Sequence, residues 1–363
     1  MPEMNHLERV SAALADDPAD RLCTYPIACG VSRRLVGDGS MTYAEWCQDP
    51  AKYAAGFTAA QKAFDLDFSI GLMDLSVLAG DLGAHVRFDE SSTPSVDVPV
   101  IKSREDYENL EVPDIHKGRT GVLIEGTRLV AESIGKEVVH SAFLEGPLLV
   151  LTQAGGAERV FYDALIERST VKKGLETVTE YCRQVAEAMG DTGASAICWD
   201  YLWGNYSCLG DDEYADLEGD RYAPLLNEET KRNGMAVAIH NCADLPHLDT
   251  QIRKFKPSIY SMAYYPLVDG SKTAAQIIDE GYADDCLVAG NVDPQLFEQG
   301  SVQQVDSTVK NLCQEVKTAL CRRGLNSRYV IASGCEVPPS DTCKIDNIAA
   351  FADAARRYGS LSR

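Results

Sequence analysis

Short apolar runs alternate with longer amphipathic ones along this chain. The runs Leu22–Ala28, Phe68–Met73, Val138–Leu144, Ala194–Trp199, Met235–His240, Ser258–Ala263, Cys286–Ala289 and Tyr329–Ala332 are too short for helices and apolar at both phases of a two-residue period. Strands buried on both faces read this way. Between them, apolar residues recur at three and four in Thr170–Met189, Leu248–Phe255, Thr273–Glu280, Val302–Thr318 and Lys344–Tyr358, which predicts helices. A short N-terminal helix is expected over Asn5–Leu14, stopped by the Asp16–Pro18 region.

Strand and helix alternating this often imply a parallel sheet, and with about eight units closure into a (β/α)8 barrel is the economical solution. The expected class is α/β, a TIM barrel with an N-terminal extension. An open doubly wound sheet is the runner-up, but no strand-to-helix Gly-rich phosphate loop supports it. Leu82–Gly118 is rich in Pro, Ser and acidic residues and reads as an insertion with a hairpin near Ala84–Phe88. No linker divides the chain, so 1–363 reads as one domain.

Composition narrows the function classes. The 363 residues carry a formal net charge of −21. That charge repels phosphate backbones and anionic lipid heads, so nucleic acid and membrane surfaces are set aside as partners. No apolar run reaches the roughly 18 residues a bilayer span needs, and Met1 to Ala12 lacks the apolar core of a signal peptide. The 12 cysteines are scattered without paired spacing. A reducing cytoplasm is expected, with thiols free or bound to metal.

In a barrel, reactive side chains sit at the C-terminal ends of the strands. Those ends are Asp74, Glu145, Asp200, His240, Cys242, Tyr264, Asn291, Asp293 and Cys335. His240-Asn241-Cys242 is the most informative triplet. In an extended segment residues i and i+2 project to one face, so both ligand-type side chains can point into the mouth. Imidazole nitrogen and thiolate are ordinary zinc ligands, at about 2.0–2.1 Å and 2.3 Å. Cys335 ends the last strand, which returns beside the first. The alternative is a buried thiol and a hydrogen-bonded histidine. Asp200 and Glu145 read equally as satisfied structural carboxylates, and Asn291 and Asp293 as loop-holding side chains. His247 is expected to be solvated. Tyr201, Trp203, Tyr206, Tyr264 and Tyr265 are candidates for an aromatic pocket. Cys198 and Cys208 are the thiols most easily mistaken for ligands.

Ile239-His240-Asn241-Cys242, Leu287-Val288-Ala289-Gly290-Asn291-Val292-Asp293-Pro294 and Ala332-Ser333-Gly334-Cys335-Glu336-Val337-Pro338-Pro339, in this order, resemble the uroporphyrinogen decarboxylase superfamily over nearly the full chain. Asp74-Leu75, Gly80, Gly83–Phe88 and Asn347 fit it too. Within it the resemblance is to the zinc- and corrinoid-dependent methyltransferases. The decarboxylases open with an Arg-Gln-Ala-Gly-Arg motif, where this chain has Tyr25-Pro26-Ile27-Ala28-Cys29-Gly30, and carry a histidine where it has Cys335.

The resemblance implies zinc on His240, Cys242 and Cys335, with methylcobalamin as co-substrate on a separate corrinoid protein. This chain has no Asp-x-His-x-x-Gly cobalamin motif. Metal-activated thiol, such as coenzyme M, would take the methyl group. Alternatives are an O-demethylase-type transfer from a methoxylated aromatic to cob(I)alamin and a decarboxylase-like lyase, which Asp74 keeps open. Asp200, Glu145 and Tyr264 are the expected catalytic residues, with water, Glu145 or Asp200 as fourth ligand. Asn291, Asp293 and Asp74 are the expected cofactor contacts.

Overall fold

The computed structural model describes residues 2–90, 92–264 and 268–361. Strands β1 (Cys23–Tyr25), β2 (Phe68–Gly71), β3 (Val139–Glu145), β4 (Ala196–Asp200), β5 (Ala236–Asn241), β6 (Ile259–Met262), β7 (Leu287–Val292) and β8 (Tyr329–Ser333) form one sheet. Its order is β1-β8-β7-β6-β5-β4-β3-β2, parallel throughout. The sheet curls until its ends meet. The Asp67 N–H donates to the Thr24 carbonyl at 3.2 Å, and the Tyr25 hydroxyl accepts from the Ile70 N–H at 3.0 Å. The result is a nearly closed (β/α)8 barrel with helices around it.

Each strand run proposed from the sequence is a barrel strand, with instructive differences at the ends. β1 stops at Tyr25 because Pro26 has no N–H to give the ladder; the next donor, Ile27 N–H, goes to Ser333 Oγ at 2.9 Å instead. β7 runs on through Gly290 and Asn291, residue types that read as turn formers. The helix expected over Leu248–Phe255 is a wide π-type turn, Asp249–Lys254. It carries the buried Gln251, whose amide donates to the Tyr201 carbonyl at 3.0 Å and whose carbonyl accepts from Tyr260 at 2.9 Å and Asn241 at 3.1 Å. The helix expected over Thr170–Met189 is the second half of a longer one, Ala157–Gly190. The insertion holds an antiparallel hairpin, His85–Arg87 with Ser95–Val98.

Phe68, Ile70, Val139, Cys198, Ile259 and Val330 are among the side chains packed inside the lower barrel. They leave only a small apolar space of about 50 Å³ between them, too little for a substrate, which assigns ligands to the mouth. Below it, the fully buried Asp67 ties the N-terminal helix His6–Ala15 to the barrel floor. It accepts from Arg9 at 2.7 Å, Arg21 at 2.6 Å, His6 at 2.9 Å and the Thr24 N–H at 2.8 Å. Burial works to raise its pKa; the bonds and charges of His6, Arg21 and Arg9 outweigh that and hold it at about 2. No helix among the described residues is long and apolar enough to cross a membrane.

Candidate metal centre

Ladder register places Glu145 opposite Asp200, Asp200 opposite His240 and His240 opposite Ser261, so four polar side chains end neighbouring strands at one level. Between His240 and Cys242 lies Asn241, fully buried. By alternation it faces away from them. Its amide donates to the carbonyls of Tyr201 at 3.0 Å and Gly204 at 3.1 Å, and its side-chain oxygen accepts from the Ala243 N–H at 2.9 Å. Asn241 therefore pins the segment with both ligand-type residues turned inward.

Cys335 arrives from β8 across the mouth. The Gly334 N–H donates to the Val292 carbonyl at 2.8 Å, and a Cβ on Gly334 would lie 2.0 Å from the backbone nitrogen of Tyr264. Only glycine lets the two loops approach this closely. One ligand-type atom from each of His240, Cys242 and Cys335 lies within 4.8 Å of the other two, an arrangement that could hold a metal ion. The other ring nitrogen of His240, Nδ1, is 2.9 Å from Ser261 Oγ, which leaves Nε2 for the thiols.

The two thiols lie close enough to titrate as a pair. The bond from Cys242 holds the Cys335 thiol well below its ordinary value, against burial and with help from His240. That same bond and burial push Cys242 up, since a second thiolate beside the first is disfavoured. Acid side chains crowd the mouth. Burial, reinforced by Cys335 and opposed by His240, raises Asp200 to about 7. Burial, with Asp74 and Asp200 nearby, raises Glu145 well above a normal carboxylate. Burial raises Glu336 to about 8, with Cys335 adding and a bond from the Gly30 N–H opposing.

The remaining sequence candidates divide. Asp200 acts electrostatically on His240 and Cys335, but neither it nor Glu145 joins the close group of three. Asp74 is bound by Arg119 through both carboxyl oxygens and accepts from the Ser76 N–H at 2.9 Å. Tyr264 is half-buried and borders two cavities. One, of about 240 Å³, is mainly apolar and includes Tyr206, Ala243, Leu245 and Met262. The other, of about 250 Å³, has a mixed lining, with Asn291, Asp293, Thr308 and Asn311 beside Val292 and Leu312.

The expected aromatic pocket assembles only in part, with Tyr206 and Tyr264 on the wall of one cavity. Tyr201 is buried outside the barrel, bonded to Asn227 at 3.0 Å, and Trp203 donates to Thr152 at 2.8 Å and packs on Phe161. Tyr265 lies outside the described residues. His247 is buried, not solvated: Nε2 meets the Leu209 carbonyl at 2.9 Å and the ring sits against Tyr206 and Tyr214. Cys198 belongs to the barrel core and Cys208 is exposed. Ser261, Asn241 and Gln251 were not singled out from the sequence. Only the strand register reveals Ser261, as the residue opposite His240.

Comparison with known proteins agrees with this architecture. A methylcobamide:CoM methyltransferase, MtbA, of Methanosarcina acetivorans is 24% identical over 310 residues, 81% of this chain and 84% of the relative. MtbA of Methanosarcina mazei is 23% identical over 329 residues, 86% of this chain and 90% of the relative. Among solved structures, a methyltransferase from Methanosarcina mazei shares the fold with a TM-score of 0.79 at 19% identity, covering 98% of this chain and 99% of that one. A B12-independent methionine synthase from a Shewanella species gives 0.51 at 12% identity, covering 85% and 88%. A family model, Uroporphyrinogen decarboxylase (URO-D), matches residues 5–358. From the N-terminal helix to the last one, the chain belongs to the uroporphyrinogen decarboxylase family.

Proposed function

We propose that this protein is a corrinoid-dependent methyltransferase that holds zinc on His240, Cys242 and Cys335 and moves a methyl group between a corrinoid and a thiol. The observation that carries this reading is the convergence of one imidazole and two thiols within 4.8 Å at the barrel mouth. Three protein ligands of this type, with a position left for substrate, match a catalytic zinc site. The Ser261 bond to Nδ1 supplies the outer-shell partner that such a histidine needs. Zinc in this donor set would lower the pKa of a substrate thiol and present it as thiolate. The names of the MtbA relatives, which give a methylcobamide and CoM, point the same way.

The chain's own residues do the rest. The acceptor thiol gives up its proton, and its sulfur bonds the methyl carbon as the carbon–cobalt bond breaks; the corrinoid keeps the electron pair. Asp200, which acts electrostatically on His240 and Cys335 and whose Oδ1 accepts no hydrogen bond, is the proposed acceptor of the proton. The mainly apolar cavity that borders Ala243, the residue after Cys242, and is walled by Tyr206, Met262 and Tyr264 is the proposed seat of the acceptor's carbon chain. Asn291 and Asp293, in the cavity of mixed lining on the other side of Tyr264, are the proposed contacts for the corrinoid's amide-bearing rim. A separate protein would deliver the corrinoid. A polycarboxylate substrate is disfavoured by the paired state of Arg119, and an aromatic ether by the dispersal of Tyr201 and Trp203.

Metal analysis of the purified protein tests this, with Cys335→Ala alongside and methylcobalamin consumption in the presence of thiol as the second readout. About one zinc per chain is expected in the wild type, lost in the variant together with demethylation of the cobalamin. A wild type that refuses zinc, or Cys242→Ala and Cys335→Ala variants that bind it normally, would sink the proposal.

A further inference from the structure

The mainly apolar cavity of about 240 Å³ lies behind the ends of β5 and β6. Met262 on its wall pairs with Asn241, whose side chain faces away from the mouth. Leu248, just before the wide turn Asp249–Lys254, and Ile277, in the helix Ala274–Asp279, line it as well. The space therefore sits between the barrel wall and the helix layer. It meets the candidate metal centre at both cysteine-bearing segments. Ala243 on its wall follows Cys242, and the backbone of Tyr264 lies against Gly334, the residue before Cys335. Lys272 is the one charged residue among the described residues that line it, and its ammonium bonds Glu280 at 2.9 Å. Apolar surface of this kind favours an apolar guest.

We propose that the acceptor is a thiol with an uncharged, apolar carbon chain, its sulfur at the metal and its chain in this cavity; this rests on the thiol-methyltransferase reading above. The volume sets the length. A water molecule takes about 30 Å³ in the liquid, so a cavity of about 240 Å³ has room for about eight groups of that size. A chain of about six to eight carbons fills it. CoM, named for the relatives, is a two-carbon thiol that ends in a sulfonate. It would leave most of the space empty, and its charge would face an apolar wall whose lysine is already paired.

A homologous series decides the matter: the straight-chain thiols from ethanethiol to octanethiol, with 2-mercaptoethanesulfonate beside them. Each is titrated calorimetrically into protein supplied with zinc. Affinity should rise about fourfold with each added methylene, the transfer preference of one such group, and level off where the cavity is full. 2-Mercaptoethanesulfonate should bind no more tightly than ethanethiol. Ala263, on the same wall, offers a way to shorten the space. Ala263→Leu should bring the plateau about three carbons earlier, the number of carbons it adds. An affinity independent of chain length, a sulfonate bound more tightly than hexanethiol, no binding of any thiol, or a plateau unmoved in folded Ala263→Leu overturns the inference. Should Ala263→Leu fail to fold, the wild-type series and the sulfonate decide it. Zinc content of the same samples is read separately. A protein that holds zinc but shows a flat series keeps the metal proposal and loses this one. A protein without zinc loses the metal proposal, while the chain-length series on it still measures the cavity.

Discussion

His240 has one ring nitrogen to offer because Ser261 occupies the other. Removing the hydroxyl in Ser261→Ala frees the ring to change tautomer and tilt, and should weaken zinc binding by about 10–100-fold in a chelator competition. Unchanged affinity would mean that packing alone orients the ring. The three ligand-type residues were legible in the sequence because their information is local: an i, i+2 pair on one strand and a cysteine after a strand-ending glycine. Ser261 was not, because its role depends on which residue of the next strand stands opposite. Asn241 hid for the opposite reason, since between two ligand types it reads as a spacer, while its amide in fact locks the strand. Glu145 and Asp200 were legible as strand ends, but their lack of donors depends on every neighbouring element.

The elements themselves were set by hydrophobic periodicity, and the misreadings occur where a side chain overrides it. Pro26 ends β1 early, and Gly290 and Asn291 fail to end β7. Gln251, needed inside to tie Asn241 and Tyr260, accompanies a wide turn in place of a regular helix. At the floor, the link between the N-terminal helix and β2 depends on charge. Asp67 has a folded value of about 2, below the ordinary carboxylate value of about 3.9. Its contribution, about 2 kcal/mol, is present above the ordinary value and is lost as pH falls toward 2. His6 is raised, chiefly by its bond to Asp67 outweighing burial. Its contribution is complete below the ordinary histidine value and fades as pH rises through the folded one. Denaturant unfolding as a function of pH should show both limbs. Asp67→Asn should cost about 3–5 kcal/mol, because it strands Arg21 and leaves Arg9 with Asp20 alone, and should flatten the acid limb. An acid limb that persists in the variant would place its origin elsewhere.

For the whole molecule, the proposed metal ties distant parts of the chain together. The end of β5 and the residue after it would supply two ligands and the loop after β8 the third, with β6 and β7 between them in the wall. An ion that binds only the folded form adds stability by mass action, about 4 kcal/mol when free zinc is a thousandfold above its dissociation constant. Stripping it with a chelator should lower Tm by several degrees, and Cys335→Ala should melt at the same temperature with or without chelator. A wild type indifferent to chelator would argue that the site contributes nothing to the fold. The barrel class followed from the repeated alternation of strands and helices. The closure of its seam by Tyr25 and the Asp67 backbone did not, because no local pattern records which strands meet last.

Chain order also sets a sequence in time. On the ribosome, His240 and Cys242 emerge long before Cys335, and a growing chain presents only two of the three donors. β8 inserts between β7 and β1, so the strand that delivers the last cysteine is also the one that completes the wall. Binding of the proposed ion by all three donors would thereby wait until β8 has entered the wall, and a loaded molecule would be one whose barrel is already closed.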